Sequence, residues 1–265
     1  MYDGLPPVSD YIARFGLAAR RSLGQNFILD LNLADRIARQ VPGISDSVVV
    51  EVGSGPGGLT RALLKNGAGK VVAVEVDRRA IGLLEELRSV YKERLEIVKA
   101  DAMGLDYSRF AGARLCSNLP YNISVPLLAV WLKGGWFESM TLMFQREVAA
   151  RIVASSGKDY GRISILVALT YRAKVLFGVP GSAFFPPPKV DSSVVGFARA
   201  ASRPSPEVLE GVEVLVSEAF SHRRKMLRGS LKSVPAGVLE RLGLSPVLRA
   251  GDVSPEDWLR IASGI

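Results

Sequence analysis

Val48-Val49-Val50-Glu51-Val52 runs directly into Gly53-Ser54-Gly55-Pro56-Gly57-Gly58, and Leu59 to Asn66 continues at helical spacing. An apolar strand, a glycine-rich turn and a helix in immediate succession make the first step of an open, mostly parallel sheet. Later segments repeat the alternation. Val71 to Val76 reads as a second strand and Arg78 to Tyr91 as a helix that Asp77 is placed to cap. Leu95 to Ala100 reads as a third strand, Arg114 to Ser117 as a fourth, Val125 to Leu132 as a helix and Met140 to Phe144 as a fifth strand. Glu147 to Ala154 reads as another helix. Ile163 to Tyr171 and Ser192 to Ala198 read as two more strands, with a proline-rich loop between them. Before the first strand, Leu31, Ala34, Ile37, Ala38 and Val41 space a helix that Pro42-Gly43 ends, while residues 1–25 are mixed.

The alternation stops near Arg199. Ala200 to Pro206 has linker composition, and beyond it only helical patterns remain, at about 208–220, 223–233, 236–242 and 255–263. The chain reads as α/β, with a sheet domain over 1–200 that carries an N-terminal arm at 1–29, and a small helical domain over 201–265.

Composition narrows the function. No apolar run reaches the roughly 18 residues that span a bilayer, and the N-terminus reads as neither a secretory signal nor an acid-poor transit peptide. The single cysteine, Cys116, excludes an internal disulfide and a cysteine-cluster metal site. It lies in an apolar run and is expected to be a buried strand residue. A reducing cytoplasm is the expected location. A formal net charge of +8 suits a polyanionic partner, most simply nucleic acid, and equally a basic enzyme with a solvated Lys/Arg surface; charge alone does not separate the two.

The glycine loop fits two templates. Gly53, Gly55 and Gly58 match a dinucleotide-binding turn, whereas Glu51, Gly53, Gly55 and Gly57 match the acidic-x-G-x-G-x-G loop of methyltransferases that use S-adenosyl-L-methionine. Glu51 favours the second, because a carboxylate suits an ammonium and repels a pyrophosphate. Glu75, 22 residues after Gly53, is placed to accept from ribose hydroxyls in either template. Asp101, after the third strand, is placed to accept from an adenine amino group, with Ala102 against the ring. Each acid alone also fits a plain strand-end or capping role.

The fourth strand ends in Asn118-Leu119-Pro120-Tyr121. The Asn118 side-chain oxygen and the Leu119 carbonyl both accept hydrogen bonds, which suits an exocyclic amine. Pro120 brings no competing donor, and Tyr121 offers a face for a base to stack on. A simple strand-to-loop turn uses the same residue types.

The motifs together resemble the ribosomal RNA adenine dimethyltransferase family, in its small-subunit branch associated with kasugamycin sensitivity. The resemblance runs from about Arg21 to the C-terminus. It rests on Leu23-Gly24-Gln25-Asn26-Phe27-Ile28-Leu29-Asp30, the glycine loop, and Asn118 to Tyr121 followed by Asn122-Ile123-Ser124. Phe144 to Val148, Tyr160 to Ser164, Phe184-Phe185-Pro186-Pro187-Pro188-Lys189-Val190-Asp191-Ser192 and Phe220 to Lys225 complete it. Relatives that methylate large-subunit rRNA share much of this set; the unbroken proline-rich run favours the small-subunit branch. Ser54 stands where the family often has proline.

The resemblance implies a Rossmann-like S-adenosylmethionine-dependent sheet with a helical C-terminal domain that grips a pre-ribosomal small subunit. It implies dimethylation of two adjacent adenosines in the 3′-terminal hairpin loop of the rRNA. The expected cofactor-binding set is Gln25, Asn26, Ile28, Glu51, Gly53, Gly55, Glu75, Val76, Asp101, Ala102 and Asn118. The expected acceptor site is Asn118, Leu119, Pro120 and Tyr121, with Phe184 or Phe185 as a second stacking face, the family pattern pointing to Phe184. Phosphate contacts are expected from Arg20 and Arg21, from Arg146 and Arg151, and from Arg223, Arg224, Lys225 and Arg228. A monomer without a resident metal is expected. His222 is expected to face RNA or serve structure rather than act as a base. Two other readings stay open on the sequence: an RNA-binding assembly or transcription factor that has lost methyl transfer, and a dinucleotide oxidoreductase.

Overall fold

The computed structural model describes residues 4–17, 19–20 and 24–264. In chain order the elements are α1 (Val8–Arg14), β1 (Phe27–Ile28), α2 (Leu31–Ala38), β2 (Val48–Val52), α3 (Gly58–Lys65), β3 (Lys70–Glu75), α4 (Arg78–Tyr91), β4 (Leu95–Lys99), β5 (Arg114–Asn118) and α5 (Tyr121–Gly134). There follow β6 (Ser139–Gln145), α6 (Arg146–Val153), α7 (Arg162–Thr170), β7 (Tyr171–Val179), β8 (Phe184–Phe185), β9 (Ser192–Arg199), α8 (Pro206–Ser221), α9 (Leu227–Ser230), α10 (Val238–Arg241) and α11 (Pro255–Ser263).

The main sheet has the order β4-β3-β2-β5-β6-β9-β7. Strands β2 to β6 run parallel, and β9 pairs antiparallel with β6. From β2 the chain winds outward through β3 and β4, then returns to the other side of β2 with β5. The reversal point lies between β2 and β5, where open α/β sheets hold their ligands. Successive strand residues face opposite sides of a sheet. In β3 and β6 they are buried one after another, so both faces are covered. Cys116 is buried in this core, as expected.

The chain divides into two compact units, one of Met1–Leu128, Trp136–Ala149 and Lys174–Ala198, the other of Ala129–Gly135, Ala150–Ala173 and Arg199–Ile265. A single cut at residue 200 does not reproduce this division, because the second unit draws two earlier segments to the C-terminal helices. In it, Leu209, Val212, Val216 and Ala219 form one buried face of α8. The Phe220 ring packs against Tyr160 and Trp258, and the Tyr160 hydroxyl donates to the Val253 carbonyl at 2.9 Å. Ser205 and Ser254 cap α8 and α11, each followed by proline at the first helical position. The supposed linker is anchored: Arg203 donates to the carbonyls of Leu132, Lys133 and Gly134, satisfying the open end of α5.

Three expectations change. Ile163 to Tyr171 is not a strand; Arg162–Thr170 is the helix α7, and the strand starts at Tyr171. The Ser164 hydroxyl accepts from the Gly161 N–H at 3.0 Å and donates to the Arg151 carbonyl at 2.5 Å, which fixes a helix start ahead of the β-branched run. The pattern at 223–233 contracts to α9, because the N–H groups of Leu227 and Arg228 bond to the carbonyls of Leu248 and Pro246 instead. Finally, the mixed N-terminal region contains α1, whose Tyr11 is buried with Leu17, Phe27, Ala80 and Leu83.

Candidate functional site

A cleft of about 280 Å³ opens at the carboxyl ends of β2, β3, β4 and β5. All eleven expected cofactor residues line it: Gln25, Asn26, Ile28, Glu51, Gly53, Gly55, Glu75, Val76, Asp101, Ala102 and Asn118. Leu119 and Pro120 line it as well. The fold makes the convergence physical, since β2, β3, β4 and β5 each deliver one polar side chain, Glu51, Glu75, Asp101 and Asn118, to the same edge of the sheet.

The floor of the cleft is the glycine loop. Gly53 has φ +72° and Gly55 φ +53°, and a Cβ on Gly55 would sit 3.3 Å from the Phe27 ring. A side chain there meets both backbone strain and a crowded wall. The loop is tied to β3, because the Gly53 N–H donates to the Val74 carbonyl at 2.8 Å and the Gly55 N–H to Glu75 Oε2 at 2.7 Å.

The two glutamates differ in how they are held. Glu75 Oε1 accepts from the N–H groups of Val76 and Asp77 at 2.8 and 2.9 Å. Burial pushes its carboxyl up, and these backbone donors oppose the shift. With three donors accounted for, Oε2 keeps lone-pair capacity toward the cleft. Glu51 is only 2% exposed, and its Oε2 accepts from the Thr60 hydroxyl at 2.5 Å. Burial lifts it to about 8; Thr60 and Ser54 pull downward, and the nearby Glu75 adds to the rise. Ser54 therefore sits in the Glu51 pocket, where a proline would supply no hydroxyl. The Asp101 Oδ1 caps a 3₁₀ turn by accepting from the Met103 N–H at 2.9 Å.

Asp77 caps α4 as expected, accepting from the Arg79 N–H at 3.1 Å. The Arg79 guanidinium holds it at about 2. Gln25 bridges the arm to this cap: its Nε2 donates to Asp77 Oδ2 at 3.1 Å and its Oε1 accepts from the Arg20 N–H at 3.0 Å.

At the fourth corner, Asn118 Nδ2 donates to the Asn26 carbonyl at 2.9 Å. Only the nitrogen end of an amide can face a carbonyl oxygen favourably, so the Asn118 Oδ1 is left for the cleft. Beneath it, the Ser117 hydroxyl accepts from the Val52 N–H at 2.8 Å. β2 and β5 pair only through Val49–Arg114 and Val50–Leu115, so this bond bridges the strands where they part.

The aromatic residues take different places. Tyr121 starts α5, and its hydroxyl meets Ser192 Oγ at 2.6 Å. Strand β8 pairs with β1, bringing Phe184 opposite Ile28 and Phe185 opposite Phe27. Phe184 is 4% exposed and packs with Ile28, Met143 and Val194; Phe185 is 50% exposed. None of Tyr121, Phe184 and Phe185 belongs to the lining of the cleft. The lining also includes Gly24, Phe27, Leu59, Asn122 and Ile123, which sequence reasoning did not assign, although four of them lie inside motifs it quoted.

The basic residues are mostly solvent-facing. Arg20, Arg151, Arg224, Lys225 and Arg228 are exposed. Arg146 is exposed and pairs with Asp191 at 3.6 Å. Arg223 is half-buried; its Nη2 donates to the Gly157 carbonyl at 2.8 Å and its guanidinium lies over Phe220. Arg21 lies outside the described residues. Among the described residues no cluster of histidine, cysteine and acidic side chains could hold a metal, and no helix is long and apolar enough to cross a membrane.

This sheet order, with a glycine loop and an acid at each of the next two strand ends, defines a Rossmann-like S-adenosylmethionine-dependent methyltransferase fold. The chain is similar to a dimethyladenosine transferase of Plasmodium falciparum, 27% identical with a TM-score of 0.75 over 88% of this chain and 94% of that one. It is also similar to the 23S rRNA methyltransferase ErmE, 27% identical with a TM-score of 0.68 over 90% and 99% of the two chains. A ribosomal RNA small subunit methyltransferase A of Mesorhizobium japonicum is 47% identical over 99% of each chain. Residues 16–265 match the ribosomal RNA adenine dimethylase model, and the chain belongs to that family.

Proposed function

We propose that this protein transfers methyl groups from S-adenosylmethionine to the 6-amino groups of two adjacent adenosines in the 3′-terminal hairpin loop of small-subunit rRNA, giving dimethyladenosine. The substrate is the rRNA within a pre-ribosomal small subunit, in the cytoplasm. The family, the two relatives named as rRNA methyltransferases and the dimethyladenosine transferase support the reaction class. The observation that carries the reading is the Asn118 amide, turned by the Asn26 carbonyl so that its oxygen serves the cleft.

The cleft fits the methyl donor. Glu51 suits the ammonium of the methionine portion, and Glu75 the ribose. The second oxygen of Asp101 suits the adenine amino group, with Ala102 and Val76 as apolar walls. The donor supplies an electrophilic methyl on a positively charged sulfur. The chain's own residues do the rest by positioning. An adenosine 6-amino group is a weak nucleophile because its lone pair is conjugated with the ring. Asn118 Oδ1 and the Leu119 carbonyl accept from its two hydrogens, which favours a pyramidal nitrogen and aims the lone pair along one line. The same acceptors stabilise the positive charge that builds on nitrogen. No strong base is needed, since a methylated anilinium-type nitrogen loses its proton readily.

The base leaves its stack to enter the site. Tyr121 supplies one stacking face, and Phe184 or the exposed Phe185 the other. Phosphates are gripped by Arg20, Arg21, Arg146, Arg151, Arg223, Arg224, Lys225 and Arg228, with Arg223 also bracing its own loop. The test is incubation with radiolabelled S-adenosylmethionine and undermethylated small subunits, followed by nucleoside analysis. Labelled dimethyladenosine is expected, and its absence would overturn the assignment.

A further inference from the structure

Tyr121 and Ser192 come from distant stretches of the sequence, and their hydroxyl oxygens meet at 2.6 Å. The two ends of this bond are not equally free. Ser192 is fully buried at the start of β9, paired opposite Gln145 of β6. One residue earlier, the Asp191 carbonyl accepts from the Arg146 N–H at 2.9 Å, and its side chain accepts from the Gly181 N–H at 3.2 Å. The serine hydroxyl is therefore a fixed point on the sheet. Tyr121 is only half-buried and stands at the first turn of a helix, with Pro120 before it and Asn122 after it both lining the cleft. Without a tether at its tip, its ring would turn about two side-chain bonds. A half-buried phenol also needs a polar partner of its own.

We propose that Ser192 is a positioning residue whose hydroxyl fixes the plane of the Tyr121 ring, so that a base extruded towards Asn118 meets a preset stacking face. This rests on the reading that Tyr121 stacks on the base. A ring ordered in advance does not have to be immobilised when the RNA binds, so the bond favours capture of the base rather than the methyl-transfer step. Nothing in the cofactor end of the cleft depends on it.

The test uses the full chain and small subunits carrying 2-aminopurine at a target adenosine, whose fluorescence rises when the base leaves its stack. Ser192→Ala and Tyr121→Phe each remove one end of the bond and keep the ring. Each is expected to reduce the fluorescence rise and, with unlabelled subunits, to raise KM for RNA about tenfold, the scale of one hydrogen bond. S-adenosylmethionine affinity by calorimetry should stay the same in both, and kcat should stay the same in Ser192→Ala. The double variant should be no worse than either single one, and Ser192→Thr should restore capture. Tyr121→Ala should lose more, because it removes the stacking face itself. Unimpaired capture in Tyr121→Phe beside impaired capture in Tyr121→Ala overturns the tether, as do additive losses in the double variant. Unimpaired capture in Tyr121→Ala overturns the stacking role beneath it. Should Ser192→Ala fail to fold, Tyr121→Phe decides alone.

Discussion

Replacing Glu51 by glutamine tests the electrostatics of the cleft without removing any of its shape. Glu51 is fully buried, and burial lifts its carboxyl from the ordinary 4.5 to about 8. A proton held that much more tightly in the fold than in the unfolded chain corresponds to about 5 kcal/mol. The sign follows from proton counts. Between pH 4.5 and about 8 the folded state binds more protons at Glu51 than the unfolded state, so stability falls as pH rises. The favourable contribution is complete below 4.5 and is gone once pH passes about 8. Glutamine resembles the protonated carboxyl and does not titrate, so Glu51→Gln should lack this slope. Urea unfolding at intervals from pH 5 to 8.5 measures it, with the wild type losing ~4 kcal/mol relative to Glu51→Gln across the window. Parallel pH profiles for the two proteins would refute the buried-acid reasoning.

Other consequences follow from the same geometry. A cationic ligand against Glu51 favours its ionised form, so S-adenosylmethionine affinity should rise with pH up to about 8 and flatten in Glu51→Gln, as read by calorimetry. Ser117→Ala leaves the buried Val52 N–H without its acceptor and should cost about 1–3 kcal/mol in denaturant unfolding. Arg203→Ala strips the end of α5 of its donors and should lower stability by about 2 kcal/mol, read from the same unfolding curves. Replacing Arg224, Lys225 and Arg228 together with alanine should make the salt dependence of RNA affinity shallower by roughly 2 in log–log slope.

Much of the sheet was legible because its signals are local. Valine-rich runs such as Val48–Val52 and Val71–Val76 end in glycine or acidic residues, and each became a buried parallel strand with its polar group on one edge. Capping was legible for the same reason at Asp77, where the donor lies two residues away. Periodicity failed at Ile163–Tyr171. A short apolar run rich in β-branched residues suits a buried strand and a buried helix equally, and the Gly161–Ser164 start settled it. The contacts that orient the site were not legible. Asn118 to Asn26, Val52 to Ser117 and Tyr121 to Ser192 join residues that only the folded sheet brings together. Phe184 and Phe185 show the same limit: their sequence neighbourhood is shared, but pairing with β1 buries one and exposes the other.

In the proposed mechanism Asn118 is the acceptor that activates the adenosine amine. Its most direct test is methyl transfer by Asn118→Ala into undermethylated small subunits, with S-adenosylmethionine affinity measured in parallel. The prediction is a fall in kcat of about 10²- to 10³-fold, the scale of one lost transition-state hydrogen-bonding group, well beyond the weakening of cofactor affinity that comes from losing one cleft residue. Dimethyladenosine formed at the wild-type rate by Asn118→Ala would contradict it.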